Sequence, residues 1–207
     1  SNYFKQFFAQ VSNPPIDPIR ERLVMSLFTR IGEGGNILDE SPDHTRQVHI
    51  SQPILSREDY YRIKSLGDKG FDHKVIDATF DVEGHESLRN AIHRICKEAE
   101  AAIHSGYSIL ILSNRKEDET RAPIPSLLSI GAVNHYLINK RLRTKAGLIL
   151  EASDAWETHH FATMIGYGAS GIYPYLTYDA IKNARNNEIL SQVVPYQQYI
   201  DNYIAGV

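Results

Sequence analysis

Cysteine is almost absent from these 207 residues, Cys96 being the single one. A lone thiol cannot close an internal disulfide and cannot build a cysteine-based metal site. Set among apolar helix positions, it reads as a small buried hydrophobe. The chain has no apolar run near the ~20 residues that a membrane-spanning helix requires. Its start, SNYFKQFFAQ, has no charged stretch followed by an apolar one, so no secretory signal is expected there. Neither sign of charge dominates: 22 Lys and Arg against 25 Asp and Glu leave −3. That balance gives no electrostatic ground for nucleic acid or an anionic membrane as partner. These absences set the expectation of a cytoplasmic protein. Gly-x-Ser-x-Gly elbows, P-loops and paired Cys-His nucleophiles are missing as well. What is present, 42% hydrophobic and 23% charged residues, is the balance of a folded domain. The length suits a single domain, 1–207.

Two stretches differ in character. Residues 1–72 form an irregular, partly helical lead-in that contains VSNPPIDPIRERLVMSL from Val11. Pro14 and Pro15 stiffen the backbone, Asp17 is placed to cap a helix, and Pro18 suits its first position. Ile19, Leu23, Val24 and Leu27 then predict one buried stripe, with a stop near Ile31-Gly32 and EGGNILDESPD as loop. VHISQPILS reads as an extended segment interrupted by Pro53, and Ser56 as the cap of a short helix with Asp59 in its first turn. Residues 73–190 repeat a strand–helix unit. The predicted strands are KVIDATF (74–80), SILIL (108–112), GLILE (147–151) and GIYPY (171–175). The predicted helices run over 86–105, 126–141, 155–167 and 177–186. In the second of these, Leu127, Ile130, Val133, Leu137 and Ile138 are expected to point inward.

Four such units predict an α/β domain with parallel strands, as a doubly wound sheet or a partial, degenerate (β/α) barrel. A complete barrel needs eight units, so the partial barrel is preferred. Gly166, Gly168 and Gly171 follow a helix and precede a strand, the reverse of a dinucleotide fingerprint.

Chemistry in such folds sits at the carboxyl ends of strands. Asn114 and Arg115 follow SILIL, Glu151 ends GLILE, and Tyr175 ends GIYPY. Asn114, Arg115 and Glu151, with His159, form a candidate polar cluster, either an active site or, more plainly, a hydrogen-bonded rim that steadies loops. KEDETRAP reads as a solvated loop. His159 and His160 are adjacent and point about 100° apart on a helix, so a metal site is not predicted from them.

Four stretches together resemble one family. QVSNPPIDPIRERLVMSL, PILS at 53–56, APIPSLLSIGAVNHYLINKRLRTKAGLILEA at 122–152 and THHFATMIGYGASGIYPYLTYDAI at 158–181 are similar to the central domain of the glutamate synthase large chain. Departures from the family pattern include Asn114 in place of an Asp and Tyr136 where relatives often show a histidine. The resemblance implies a fragment of a longer enzyme, in which a glutaminase domain releases ammonia and an FMN barrel with an iron–sulfur cluster makes glutamate. It implies no cofactor, metal or catalysis in this part, and partners within the same polypeptide. Its implied function is to link the two catalytic domains and help form an ammonia tunnel, with Ser12, Asn13, Pro14, Pro15 and Asp17 as tunnel or interdomain residues. Two alternatives stand beside it: a free-standing half-barrel that binds a small ligand, and a partner of a separately encoded glutaminase.

Overall fold

The computed structural model describes residues 17, 19–20, 24–36, 38–84 and 86–207. Ser12, Asn13, Pro14, Pro15, Pro18 and Leu23 lie outside them. Asp17 does cap: its Oδ1 accepts the backbone N–H groups of Ile19 and Arg20, both at 2.9 Å. The expected buried stripe is not observed, because no described element covers it. Ile19, Val24 and Leu27 are 86%, 58% and 63% exposed. Nor does the helix reach Ile31, since β1 (Thr29–Ile31) pairs antiparallel with β2 (Val48–Ile50).

The centre of the molecule is a four-stranded parallel sheet of β3 (His73–Asp77), β5 (Ile109–Ser113), β7 (Gly147–Glu151) and β8 (Gly171–Tyr173), in that order. Each strand lies beside the next in sequence, the order of a barrel segment. A doubly wound sheet would reverse direction and carry helices on both faces. Here α2 (Leu88–His104), α3 (Ser126–Asn139) and α4 (Thr158–Gly166) all pack on one face, against Ile76, Leu110, Leu112, Leu148, Leu150 and Ile172. The sheet does not close into a barrel. Its other face, lined by Ile109, Ile111, Ile149 and Tyr173, is filled from the lead-in by Ile31, Leu55 and the Tyr60 and Ile63 side chains of α1 (Arg57–Lys64). Each such side chain contributes about 1.5–3 kcal/mol on burial. The four together rival the net stability of an ordinary domain, so the lead-in is part of the core.

Several local signals act as read. Ser56 caps α1, accepting the Asp59 N–H and donating its hydroxyl to the Asp59 carboxylate. Pro53–Leu55 runs beside β8 as a short extra edge: Ile172 N–H donates to Pro53 O, and Leu55 N–H to Ile172 O. Cys96 is buried in α2, and burial pushes its thiol up to about 11.

Other expectations need correction. KVIDATF is two strands, because Asp77 Oδ1 takes both the N–H and the hydroxyl of Thr79 and turns the chain. Beyond the turn, β4 (Thr79–Asp81) pairs antiparallel with β6 (Arg121–Pro123), so the end of KEDETRAP is a strand and not loop. GIYPY ends as a strand at Tyr173, where Pro174 starts α5 (Tyr175–Asn186). That fourth helix leaves the outer layer: Tyr175 and Tyr178 join the inner cluster with Ile200 of α6 (Tyr196–Gly206). In α3, Leu127 and Ile138 face outward at 37% and 49% exposure.

Arg143 fastens the amino-terminal end of the sheet. Its guanidinium donates to Asn134 Oδ1 of α3 at 2.6 Å, to Ala146 O before β7 at 2.9 Å and to Gly168 O before β8 at 2.8 Å. Gly168 has φ +114°, and a Cβ there would meet Asn134 Oδ1 at 2.5 Å, so both the turn and the fit require glycine.

Candidate functional site

Three of the four predicted cluster residues come together at the carboxyl ends of β5 and β7. Parallel pairing sets Ser113 opposite Glu151, because the two strands run in register from Ile109 and Gly147. Glu151 is 6% exposed. One of its carboxylate oxygens accepts the Ser113 hydroxyl at 2.6 Å, and the other accepts Arg115 Nη1 at 3.4 Å. Arg115 also lies over the Tyr175 ring, 4.6 Å from its centroid, and reaches the Asp179 carboxylate at 4.0 Å.

Asn114 is buried and turned to a scaffolding task. Its N–H donates to Glu151 O, its Oδ1 accepts the Ser153 N–H at 3.0 Å, and its Nδ2 donates to Ser126 Oγ at 3.4 Å. It thereby ties the β5 loop to the β7 loop and to the first residue of α3. Asp154 joins the same corner, its Oδ2 accepting the Ser126 N–H at 2.9 Å. Pro125 offers no capping side chain of its own, so a carboxylate from the next loop caps α3, where the helix dipole favours negative charge. Glu117 completes the layer, accepting the Tyr175 hydroxyl at 3.0 Å and the Ser153 hydroxyl at 3.3 Å.

His159 does not belong to this cluster. It is exposed on the first turn of α4, and its carbonyl accepts the Thr163 hydroxyl. Its neighbour His160 turns back, and Nδ1 accepts the Trp156 N–H at 3.1 Å, a capping contact. Among the described residues, no group of three or more His, Cys, Asp or Glu is placed to hold a metal ion.

The electrostatics match a closed layer. Burial, then Glu151 through its charge and a hydrogen-bonding contact, raises the pKa of Tyr60, although that contact falls short of full hydrogen-bond geometry. Burial and Glu117 raise Tyr175 in the same sense. Both phenols therefore stay protonated at neutral pH. On the inner face the Tyr60 ring stacks on Tyr173, centroids 4.4 Å apart. A polar cleft lies elsewhere, at the amino ends of the strands, where about 540 Å³ is bounded by Glu33, Asp39, His44, Arg46, Ser108 and Lys145. The strand-end rule thus locates Asn114, Arg115 and Glu151. It misses Glu117, which lies in the loop just after β5 but reads there as solvated, and Tyr60, which nothing in the local sequence links to this end of the sheet.

Comparison with known proteins gives a consistent result. The family description "Glutamate synthase central domain" matches residues 1–207. Glutamate synthase [NADH] of Schizosaccharomyces pombe is 40% identical over 205 residues, covering 98% of this chain and 10% of that protein. The glutamate synthase [NADPH] large chain of Bacillus subtilis is 42% identical over 202 residues, covering 98% of this chain and 13% of that one. Ferredoxin-dependent glutamate synthase 1 of Arabidopsis thaliana is 42% identical over 188 residues, covering 89% and 12%. The chain spans about a tenth of the length of these relatives.

Proposed function

The chain belongs to the glutamate synthase central domain family, and on that premise we propose that it acts as a non-catalytic connector within a glutamate synthase. In this reading it holds a glutaminase domain and an FMN-binding synthase domain in register, and lends part of the wall of an intramolecular ammonia passage. FMN and the iron–sulfur cluster belong to the other domains, and the reaction is glutamate formation from glutamine and 2-oxoglutarate.

The observation that carries the reading is the engaged state of the strand-end layer. Glu151, Asn114, Glu117 and Tyr175 spend their hydrogen bonds on one another, on the hydroxyls of Ser113, Ser126 and Ser153, and on neighbouring backbone. Leu55, Tyr60 and Ile63 occupy the inner face that a ligand of a half-barrel would need. The relatives' names add support. They cite NADH, NADPH and ferredoxin, yet identity to this chain stays at 40–42%, as suits a domain that does not handle the electron donor.

A passage has a chemical reason. Free ammonia is mostly protonated near neutral pH, and the ammonium ion is a poor nucleophile, so exposure to bulk water wastes it. In the sequence, Pro14 and Pro15 each fix one backbone dihedral next to Ser12 and Asn13, a property that suits a wall segment. Replacing Ser12 or Asn13 by tryptophan in the full-length enzyme tests this. Glutamine consumed per glutamate formed is expected to rise above that of the unaltered enzyme. Unchanged coupling overturns the passage.

A further inference from the structure

Helix α3 carries no Asp, Glu, Lys or Arg in its 14 residues, SLLSIGAVNHYLIN. Its inward stripe, through Ile130, Val133 and Leu137, is fully buried. The opposite side is apolar too: Leu128, Gly131 and Ala132, at helical spacing, lead to His135. A surface helix ordinarily turns charged residues outward; α3 turns none, and its polar Asn134 and Tyr136 are engaged at its flanks by Arg143 and Glu100. Neighbouring α2 follows the ordinary rule, with Arg89, His93 and Lys97 along its outer side.

The outer side of α3 forms one wall of a groove of about 490 Å³, bounded by Leu127, Leu128, Gly131, Ala132, His135 and Tyr167. Tyr167, just past the end of α4, lies directly against Gly131, where a Cβ would meet its ring at 3.2 Å. Leu128 is 42% exposed and Tyr167 50% exposed. The groove presents carbon almost throughout, with the His135 imidazole and the Tyr167 hydroxyl as its polar side-chain groups.

We propose that this groove is an intrachain docking surface, covered by an apolar, uncharged surface from another part of the same long polypeptide. The proposal rests on reading the chain as one domain of a glutamate synthase. The relatives matched here continue for roughly nine-tenths of their length outside the matched part, which supplies ample covering chain. The uncharged lining sets its chemistry, since a buried unpaired charge opposite Leu128 and Ala132 would be costly.

Leu128→Cys in the full-length enzyme tests it, by N-ethylmaleimide labelling read on the α3 peptide by mass spectrometry. Cys96 does not compete, being buried with its thiol pushed up to about 11. Labelling at position 128 is expected to be at least about tenfold slower in the native enzyme than in urea, since it must await a local opening. Near-equal rates mean an open groove and overturn the proposal. Protection that disappears on dilution also overturns it, in favour of a second copy as the cover. Ala132→Cys provides the same reading should Leu128→Cys fail to assemble. The passage is judged separately, by the coupling ratio of the Ser12 and Asn13 variants. Protection with unchanged coupling keeps the groove and rejects the passage, and an open groove with lost coupling does the reverse.

Discussion

Glu151→Gln separates a structural from a chemical role for the strand-end layer. It preserves the shape of the side chain and removes its charge. A hydrogen bond to a charged partner contributes about 1.5–3 kcal/mol and a neutral one about 0.5–1.5. The 2.6 Å bond from Ser113 therefore weakens by roughly 1 kcal/mol or somewhat more. The Arg115 contact adds little, because that side chain is 44% exposed and such pairs contribute about 0–1 kcal/mol. Some of the loss is offset, since an amide costs less to bury than a carboxylate. The net expectation is about 1–2 kcal/mol of lost stability, which lowers Tm by about 2–8 °C for a chain of this size. Melting followed by circular dichroism measures that. In the full-length enzyme, turnover and coupling should stay close to those of the parent. A fall in glutamate formation of about a hundredfold, the size expected for losing a general acid or base, with melting unchanged, would refute the structural assignment.

Tyr60→Phe removes a buried hydroxyl whose contact with Glu151 falls short of full hydrogen-bond geometry, so stability should hold or rise by about 1 kcal/mol; a clear loss in urea unfolding would mean that the hydroxyl is firmly bonded in solution. Arg143→Ala removes three hydrogen bonds and strands two carbonyls. It should cost about 3 kcal/mol in urea unfolding, with Arg143→Lys recovering only part because an ammonium cannot fork to three acceptors. The Glu100 carboxyl, which accepts from Tyr136 and Lys97, is held down to about 2. Its contribution to stability is therefore present above its ordinary value near 4.5 and fades as pH falls toward 2. Carbon-13 NMR titration should show that Tyr136→Phe, which removes the largest cause, raises this pKa; an unmoved titration would refute the assignment.

Local pattern carried the strands and helices of the central sheet. SILIL and GLILE are apolar because both faces are covered, and β5 and β7 lie within a residue of those runs. The capping roles of Asp17 and Ser56 were equally legible, since a cap is a contact across two or three residues. What could not be read is what lies far apart in sequence. The β4–β6 ribbon joins residues about 40 apart through an arginine, an alanine and a proline that carry no strand pattern. The outer side of α3 looks like core by composition, and no periodicity tells one apolar stripe from another. At the site, the strand-end rule worked for Asn114, Arg115 and Glu151. His159 was drawn in by its residue type alone, and the helix phase instead puts His160 into a contact.

The short edge made by Pro53, Ile54 and Leu55 bears on how this half-barrel relates to a whole one. A barrel closes when its last strand offers a free ladder of N–H and C=O groups to its first. Beside β8 that ladder is already taken by a three-residue segment, and the segment begins with the one residue that has no N–H to offer. Among the described residues, no strand pairs with the opposite edge, β3, where Arg94 donates to the Asp77 carbonyl. Its exposed Lys74 sits in mid-strand, where a lysine discourages chance pairing. One edge is stoppered and the other guarded, which is why the sheet of the described residues stops at four strands.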